Sequence, residues 1–359
     1  MQHPTLRGRG TTVNPPNRFE TFWYETGQVD DDTQAETCDD EQPGPTTQFF
    51  KDHTKSILTQ NDSPDVGFTF SINPYRGCEH GCIYCYARPT HEYLGFSAGL
   101  DFETKIMVKA EAPNLLRQQL DSRRWKPGVI AVSGVTDCYQ PIERKLKLTR
   151  RCLEVLAEFR NPVCIITKSY LVTRDIDILQ HLAHYQAAAV FLSVTTLDAE
   201  LAHIMEPRAA TPARRLAAIA KLSEAGVPVG VLVCPVIPGL TDHEIPAIIQ
   251  EARRAGAQFA GYNLLRLPYS VKDLFEEWLD THLPQQKNKV LSKLRASRSR
   301  QLNEAEFGSR MTGEGVFAEQ VAALFTIACK KAGLTGRGPQ LSAAAFRKPT
   351  PGQLELFED

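Results

Sequence analysis

Asn73-Pro74-Tyr75-Arg76-Gly77-Cys78-Glu79-His80-Gly81-Cys82-Ile83-Tyr84-Cys85-Tyr86 follows directly on a strand-like run, Gly67-Phe68-Thr69-Phe70-Ser71-Ile72. Its cysteines are spaced C-x3-C-x2-C, three thiols within eight residues. Thiolates this close suit one metal centre, and a [4Fe–4S] cluster held by only three of them leaves one iron open to another ligand. Gly77 and Gly81 stand where a chain wrapping a cluster needs a positive φ or a close approach. A zinc site with His80 or His91 as fourth ligand is the rival reading, as are reduced cysteines that bind nothing. Zinc ligands come in pairs, the second usually a dozen or more residues away, and no second cysteine pair follows here. The spacing therefore favours iron and sulfur.

A chain of 359 residues, 42% of them hydrophobic, can bury one large core, since α/β barrels run to about 200–250 residues as one domain. The nine cysteines do not read as a disulfide framework in a chain this long. Met1 to Arg7 contain no apolar run of signal-peptide length, and charges, glycines or prolines interrupt every hydrophobic stretch before it could span a membrane. These features lead us to expect a cytoplasmic protein with no membrane partner. A net charge of −1 gives no global electrostatic case for nucleic acid, so any such case must rest on a local patch.

Residues 1–60 read as an irregular, flexible arm, with acidic clusters at Asp30–Asp32 and Asp39–Glu41 and little apolar periodicity. Phe19, Phe22, Trp23 and Tyr24 are expected to pin it to the domain. Short apolar or β-branched runs recur at 67–73, 128–134, 162–168, 187–194, 228–234 and 258–265, separated by helix-like segments. Arg150–Arg160 carries the helical period in Cys152, Leu153, Val155, Leu156 and Phe159. Thr211-Pro212 opens another helix, which Gly226 closes. Alternating strands and helices imply a parallel sheet with right-handed crossovers. Six such units make either a partial barrel or a doubly wound sheet, and periodicity does not separate the two.

In parallel β/α folds the functional site lies at the carboxyl ends of the strands. The first run enters the cysteine loop. The next ones end in Gly134-Val135-Thr136-Asp137, Thr167-Lys168-Ser169, Ser193-Val194-Thr195-Thr196 and Cys234-Pro235, and the sixth carries Asn263 and Arg266. Turn chemistry explains any one of these but explains six in succession poorly.

The cysteine motif with its aromatic Tyr84 resembles the radical S-adenosylmethionine (SAM) superfamily. Asn73-Pro74-Tyr75-x-Gly77-Cys78, Thr136-Asp137-x-Tyr139-Gln140-Pro141-Ile142-Glu143, Thr167-Lys168-Ser169 and Asp175-Ile176-Asp177 resemble its spore photoproduct lyase-like branch over about residues 67–265. A closer resemblance, extending through Gly308-x-Arg310-Met311-x-Gly313-Glu314-Gly315, is to a bacterial radical SAM group whose reaction is unassigned. The resemblance implies an α/β fold, a partial (β/α)6 parallel barrel of radical SAM type, at residues 61–267. A helical extension at 268–334 and a flexible tail at 335–359 complete the expected organisation.

The resemblance also implies a [4Fe–4S] cluster on Cys78, Cys82 and Cys85, with SAM chelated at the open iron. Tyr84 is then expected near the adenine, the backbone from Gly134 through Thr136 to Asp137 at the amino group, Lys168 at the carboxylate and Ser193 at the ribose or carboxylate. The implied chemistry is reductive cleavage of SAM to a 5′-deoxyadenosyl radical that abstracts hydrogen from a substrate. A reductant such as flavodoxin or ferredoxin is an implied partner. Lyases of this branch return a hydrogen through a cysteine three residues before the second-strand aspartate, where this chain has Gly134, so thymine-dimer repair is not implied. Cys138 is the candidate hydrogen donor nearby, although the sequence favours reading it as a small buried residue. The substrate stays open between nucleic acid, for lesion repair or modification, and a protein or small molecule. A non-catalytic iron–sulfur or zinc protein is the remaining alternative.

Two outlying segments bear on partners. Lys287, Lys289, Lys293, Arg295, Arg298 and Arg300 concentrate positive charge, favoured as a solvated helix face over a phosphate-binding one. Gln353-Leu354-Glu355-Leu356-Phe357 resembles the pentapeptide by which bacterial proteins bind the sliding clamp, with a chance match or docking on the chain's own barrel as rivals.

Overall fold

The computed structural model describes residues 6–19, 45–303 and 306–349. Its frame is six parallel strands: β1 (Phe70–Ile72), β2 (Ile130–Val132), β3 (Val163–Thr167), β4 (Ala188–Ser193), β5 (Val229–Val236) and β6 (Phe259–Leu264). They lie side by side in chain order, each pair of neighbours parallel. That order decides between the two architectures left open by periodicity. A doubly wound sheet reverses its order at a switch point, whereas a singly wound one curls toward a barrel. β6 does not pair with β1, so the barrel is partial, and the short antiparallel strand Leu58–Gln60 covers the outer edge of β1.

Helices α1 (Ala112–Asp121), α2 (Leu148–Glu158), α3 (Ile176–His184), α4 (Pro212–Glu224) and α5 (Ile245–Arg254) follow the strands in turn. In α2, Cys152, Leu153, Val155 and Leu156 are buried, the stripe that helical spacing produces. Thr211 caps α4, its hydroxyl accepting the Arg214 N–H at 3.4 Å, and Pro212 occupies the first turn. Val163, Ile165, Val190, Leu192 and Val231 from the strands are completely buried against this layer.

The sixth helix, α6 (Val316–Ala332), packs on α5 and β6. Within the expected extension at 268–334, it is thus the part that lies against the barrel layer. Helices Val271–His282 and Lys287–Ala296 form an insert ahead of it, around Phe275, Trp278, Leu279 and Leu294. A small second sheet, in the order Gln48–Lys51, Lys105–Val108, Tyr75–Arg76, occupies the crossover between β1 and β2.

The described parts of the two end segments make specific hydrogen bonds to the rest of the chain. Residues 6–19 run along the cysteine loop, where Gly10 N–H donates to Glu103 Oε2 at 3.0 Å and Asn17 Nδ2 to Glu92 O at 2.8 Å. Phe19 rests on Tyr93 with ring centroids 4.8 Å apart, whereas Phe22, Trp23 and Tyr24 lie outside the described residues. Residues 335–349 form a strap rather than a loose tail. Ala260 N–H donates to Thr335 O at 2.9 Å, Ser342 N–H to Gln186 O at 2.9 Å and Arg347 N–H to Phe159 O at 2.9 Å. Those partners sit at the amino ends of strands, the face opposite the cysteine loop. Backbone hydrogen bonds with little apolar periodicity hold both segments, which is why composition reads them as loose. The pentapeptide Gln353–Phe357 lies outside the described residues. Among the described residues no helix is long and apolar enough to cross a membrane.

Candidate active site

The cysteine loop leaves β1 and turns at two glycines. Gly77 has φ +77°, and a Cβ there would stand 2.9 Å from Phe102 O; Gly81 has φ +69°, with Glu103 Oε2 at 2.8 Å. Both positions require glycine, for conformation and for space. Arg88, fully buried, holds the loop from behind: Nε donates to Cys82 O at 3.0 Å and Nη2 to Gly81 O at 3.3 Å, while Nη2 pairs with buried Glu103 at 2.5 Å. Cys78 N–H donates to Phe102 O at 2.9 Å and Ile83 N–H to Met205 O at 3.0 Å.

The turn after β2 clamps the loop from the other side. Thr136 Oγ1 donates to Gly77 O at 2.6 Å, and Gln140 Oε1 accepts the Glu79 N–H at 2.9 Å. Asp137 spends all four of its acceptor positions inside the protein. Oδ1 accepts Thr167 Oγ1 at 2.7 Å and Tyr139 N–H at 2.9 Å; Oδ2 accepts Lys168 N–H at 2.8 Å and stands 3.4 Å from His80 Nδ1. Burial alone would raise its pKa, but His80 and these hydrogen bonds outweigh burial and bring it down to about 2. The Thr136 and Asp137 side chains are thus positioning groups, and their backbone is what remains for a ligand.

A cavity of about 230 Å³ opens at the carboxyl ends of the strands. Cys78, Cys82, Cys85, Tyr84, Gly134, Thr136, Asp137, Lys168 and Ser193 all line it, and all six strand ends contribute. A larger cavity, about 430 Å³ behind the loop, is lined by none of the three cysteines. Cys138 stands apart from the mouth. It is fully buried in the hydrophobic core and its Sγ lies 3.5 Å from Val132 O, so a hydrogen-donor role for it has no support in its position. The thiol on the cavity wall outside the cysteine loop is Cys234, whose Sγ is 3.6 Å from Asn263 Nδ2.

Burial pushes the Cys78 thiol up to about 12, with the Asp137 charge adding to the effect, and raises Cys82 well above the ordinary thiol value. Two thiols held protonated this way must lose their protons to become ligands. His91 is buried with both ring nitrogens unpartnered against Phe96 and Phe102, and burial lowers its pKa to about 4. His80 is turned to Asp137 instead. No three His, Cys, Asp or Glu side chains among the described residues are grouped to hold a metal ion.

Two buried networks beneath the mouth escaped the sequence reading. Tyr84, at the cavity wall, hydrogen-bonds through its hydroxyl to Glu206 and lies 3.1 Å from Thr195 Oγ1; Glu206 in turn pairs with Arg215, almost fully buried. Arg215 also donates to Ser193 O at 3.2 Å, so one ion pair fixes both Tyr84 and Ser193. In the second network Tyr75 donates to Glu143 at 2.5 Å, Arg174 bridges Glu143 and Asp175 at 2.7 and 2.8 Å, and Arg150 joins Asp175 to Asp177. Its members are the tyrosine, glutamate and aspartates of three separate sequence motifs. Their spacing gave the motifs, but nothing in it told that they meet.

Residues 72–252 match the family model described as Radical SAM superfamily. The chain belongs to the radical SAM superfamily. It is 36% identical over 214 residues to an uncharacterized protein of Mycobacterium tuberculosis, covering 59% of this chain and 63% of that one. An uncharacterized protein of Methanocaldococcus jannaschii is 30% identical over 225 residues, 63% of this chain and 80% of that one. This radical SAM chain thus spans less than two thirds of its mycobacterial relative. Among solved structures, spore photoproduct lyase complexed with dinucleoside spore photoproduct superposes with a TM-score of 0.55 at 16% identity, over 79% of this chain and 78% of that one. A likeness of that size speaks for the fold.

Proposed function

We propose that this chain is a radical SAM enzyme in which Cys78, Cys82 and Cys85 hold a [4Fe–4S] cluster and SAM binds beside it. The donor set fits, in that three thiols line one cavity. The observation that carries the reading is that Tyr84, Lys168 and Ser193, from three different elements, line that same cavity with the thiols. Bound there, the cofactor pair would supply reductive cleavage of SAM to methionine and a 5′-deoxyadenosyl radical able to abstract hydrogen.

This chain's residues bind and orient. Lys168 Nζ lies 5.7 Å from the Tyr84 ring centroid, with no ion-pair partner among the described residues, and suits a carboxylate. Tyr84, its hydroxyl fixed by Glu206 and Thr195, presents a stationary face to an adenine. Backbone from Gly134 to Asp137, held by the Asp137 clamp, presents carbonyls to an amino group. Leu232, Leu264, Leu265 and Met311 add apolar surface to the wall and limit water.

A nucleic-acid lesion or modification site is the substrate class to test first, because a structural neighbour is complexed with a dinucleoside photoproduct. Gly134 in place of a thiol, and the buried position of Cys138, argue against thymine-dimer repair by that neighbour's donor arrangement. The experiment is anaerobic incubation of the reconstituted protein with SAM and dithionite, measuring 5′-deoxyadenosine with single-stranded DNA, RNA, peptides or no addition. Stimulation by nucleic acid alone supports the reading. Stimulation by peptides alone would move the substrate to protein, and no 5′-deoxyadenosine under any condition would overturn the enzyme assignment.

A further inference from the structure

Arg298 is buried against the backbone carbonyls of Leu264, Leu265 and Arg310, and four other shielded arginines meet carboxylates: Arg88 with Glu103, Arg215 with Glu206, Arg174 with Glu143 and Arg310 with Asp65. Arg266 does not. It follows β6, lines the thiol cavity and is half-buried, and its guanidinium lies 4.7 Å from the Tyr86 ring centroid. No hydrogen bond or ion pair satisfies it among the described residues. A guanidinium taken partly out of water without a direct ion-pair partner is costly, and the cost is recovered when an anion arrives.

The stacking surface is itself fixed. Tyr86 donates its hydroxyl to Gly134 O at 2.5 Å, which tethers the ring over which the Arg266 guanidinium lies. Arg310, a like charge that acts on Arg266, is itself paired with Asp65 at 2.5 Å. The cavity thus contains two cations without carboxylate partners, Lys168 and Arg266, whereas SAM carries a single carboxylate.

We propose that Arg266, stacked on Tyr86, is the anchor for an oxyanion carried by the substrate, a phosphate or a carboxylate, bound in the same cavity as SAM. This rests on the proposed function and narrows its substrate to an anionic one. The planar fork of arginine suits two-point contact with either group.

The test uses the full chain with its cluster reconstituted, titrated calorimetrically with inorganic phosphate and with acetate, each with and without saturating SAM. Wild-type protein should bind one oxyanion per chain. Arg266→Gln should weaken that binding ~10-fold or more, as expected for a lost charge-assisted bond, and leave iron content and SAM affinity unchanged. Arg266→Lys keeps the charge without the fork and should fall between the two, which also covers a glutamine variant that fails to fold. Tighter phosphate than acetate binding identifies a phosphate-bearing substrate, and the reverse a carboxylate. Equal oxyanion affinity in wild type and both variants overturns the proposal. So does an Arg266→Gln protein that loses SAM affinity instead, because Arg266 would then serve the SAM carboxylate. A wild-type protein that binds oxyanion through Arg266 but never SAM would keep the subsite and contradict the enzyme reading.

Discussion

Asp137 accepts the backbone N–H of Lys168 at 2.8 Å, so the turn after β2 fixes the point at which Lys168 leaves β3. With Thr167 and His80 on the same carboxylate, three chain segments converge on one ionised group. Its pKa is lowered to about 2, so its contribution to stability is present above the unfolded aspartate value and lost as pH falls toward 2. Asp137→Asn should therefore cost about 2 kcal/mol at pH 7. Urea unfolding of both proteins from pH 7 down to pH 3 checks it: the gap should stay constant to about pH 4 and then narrow. A gap independent of pH would mean that the carboxylate charge is not what holds the clamp.

Lys168→Ala should leave iron content intact and weaken SAM binding by ~1.5–3 kcal/mol, the value of a charge-assisted hydrogen bond. Equilibrium dialysis with labelled SAM decides it. Unchanged affinity would remove Lys168 from the site.

The Glu206–Arg215 pair is buried on both sides. Glu206→Ala strands a buried guanidinium and frees the Tyr84 hydroxyl, so it should destabilise the fold by about 3–5 kcal/mol. Glu206→Ala combined with Arg215→Met should recover much of that loss by denaturant titration. The double variant should still bind SAM less tightly, because Tyr84 and Ser193 lose their common support.

Much of the frame was legible in the sequence because β-branched runs at regular spacing are what buried parallel strands require, and all six lie within a few residues of their predicted places. Periodicity did not separate partial barrel from doubly wound sheet, since strand order is a long-range property; the resemblance carried that choice. The site was legible where function sets local spacing, as at Cys78, Cys82 and Cys85. It was hidden where function is spread over distant residues: Glu206, Arg215, Arg88 and Glu103 are ordinary charged residues in sequence, and only burial reveals them. Cys138 shows the converse. Sequence proximity to Asp137 raised a donor role beside the favoured reading of a small buried residue, and its side chain lies in the core.

Cys138→Ala should therefore leave 5′-deoxyadenosine formation and any substrate turnover at wild-type levels. Normal 5′-deoxyadenosine with abolished turnover would show that the core position opens during the reaction.

The most direct measurement is iron and acid-labile sulfide per chain after anaerobic reconstitution, read with the electron paramagnetic resonance spectrum of the dithionite-reduced protein with and without SAM. The account predicts about four irons and four sulfides, a reduced-cluster signal that SAM perturbs, and loss of all three on replacing Cys78, Cys82 or Cys85 by alanine. One tightly held zinc per chain with no iron, or full cluster content after loss of any one of those cysteines, would contradict it.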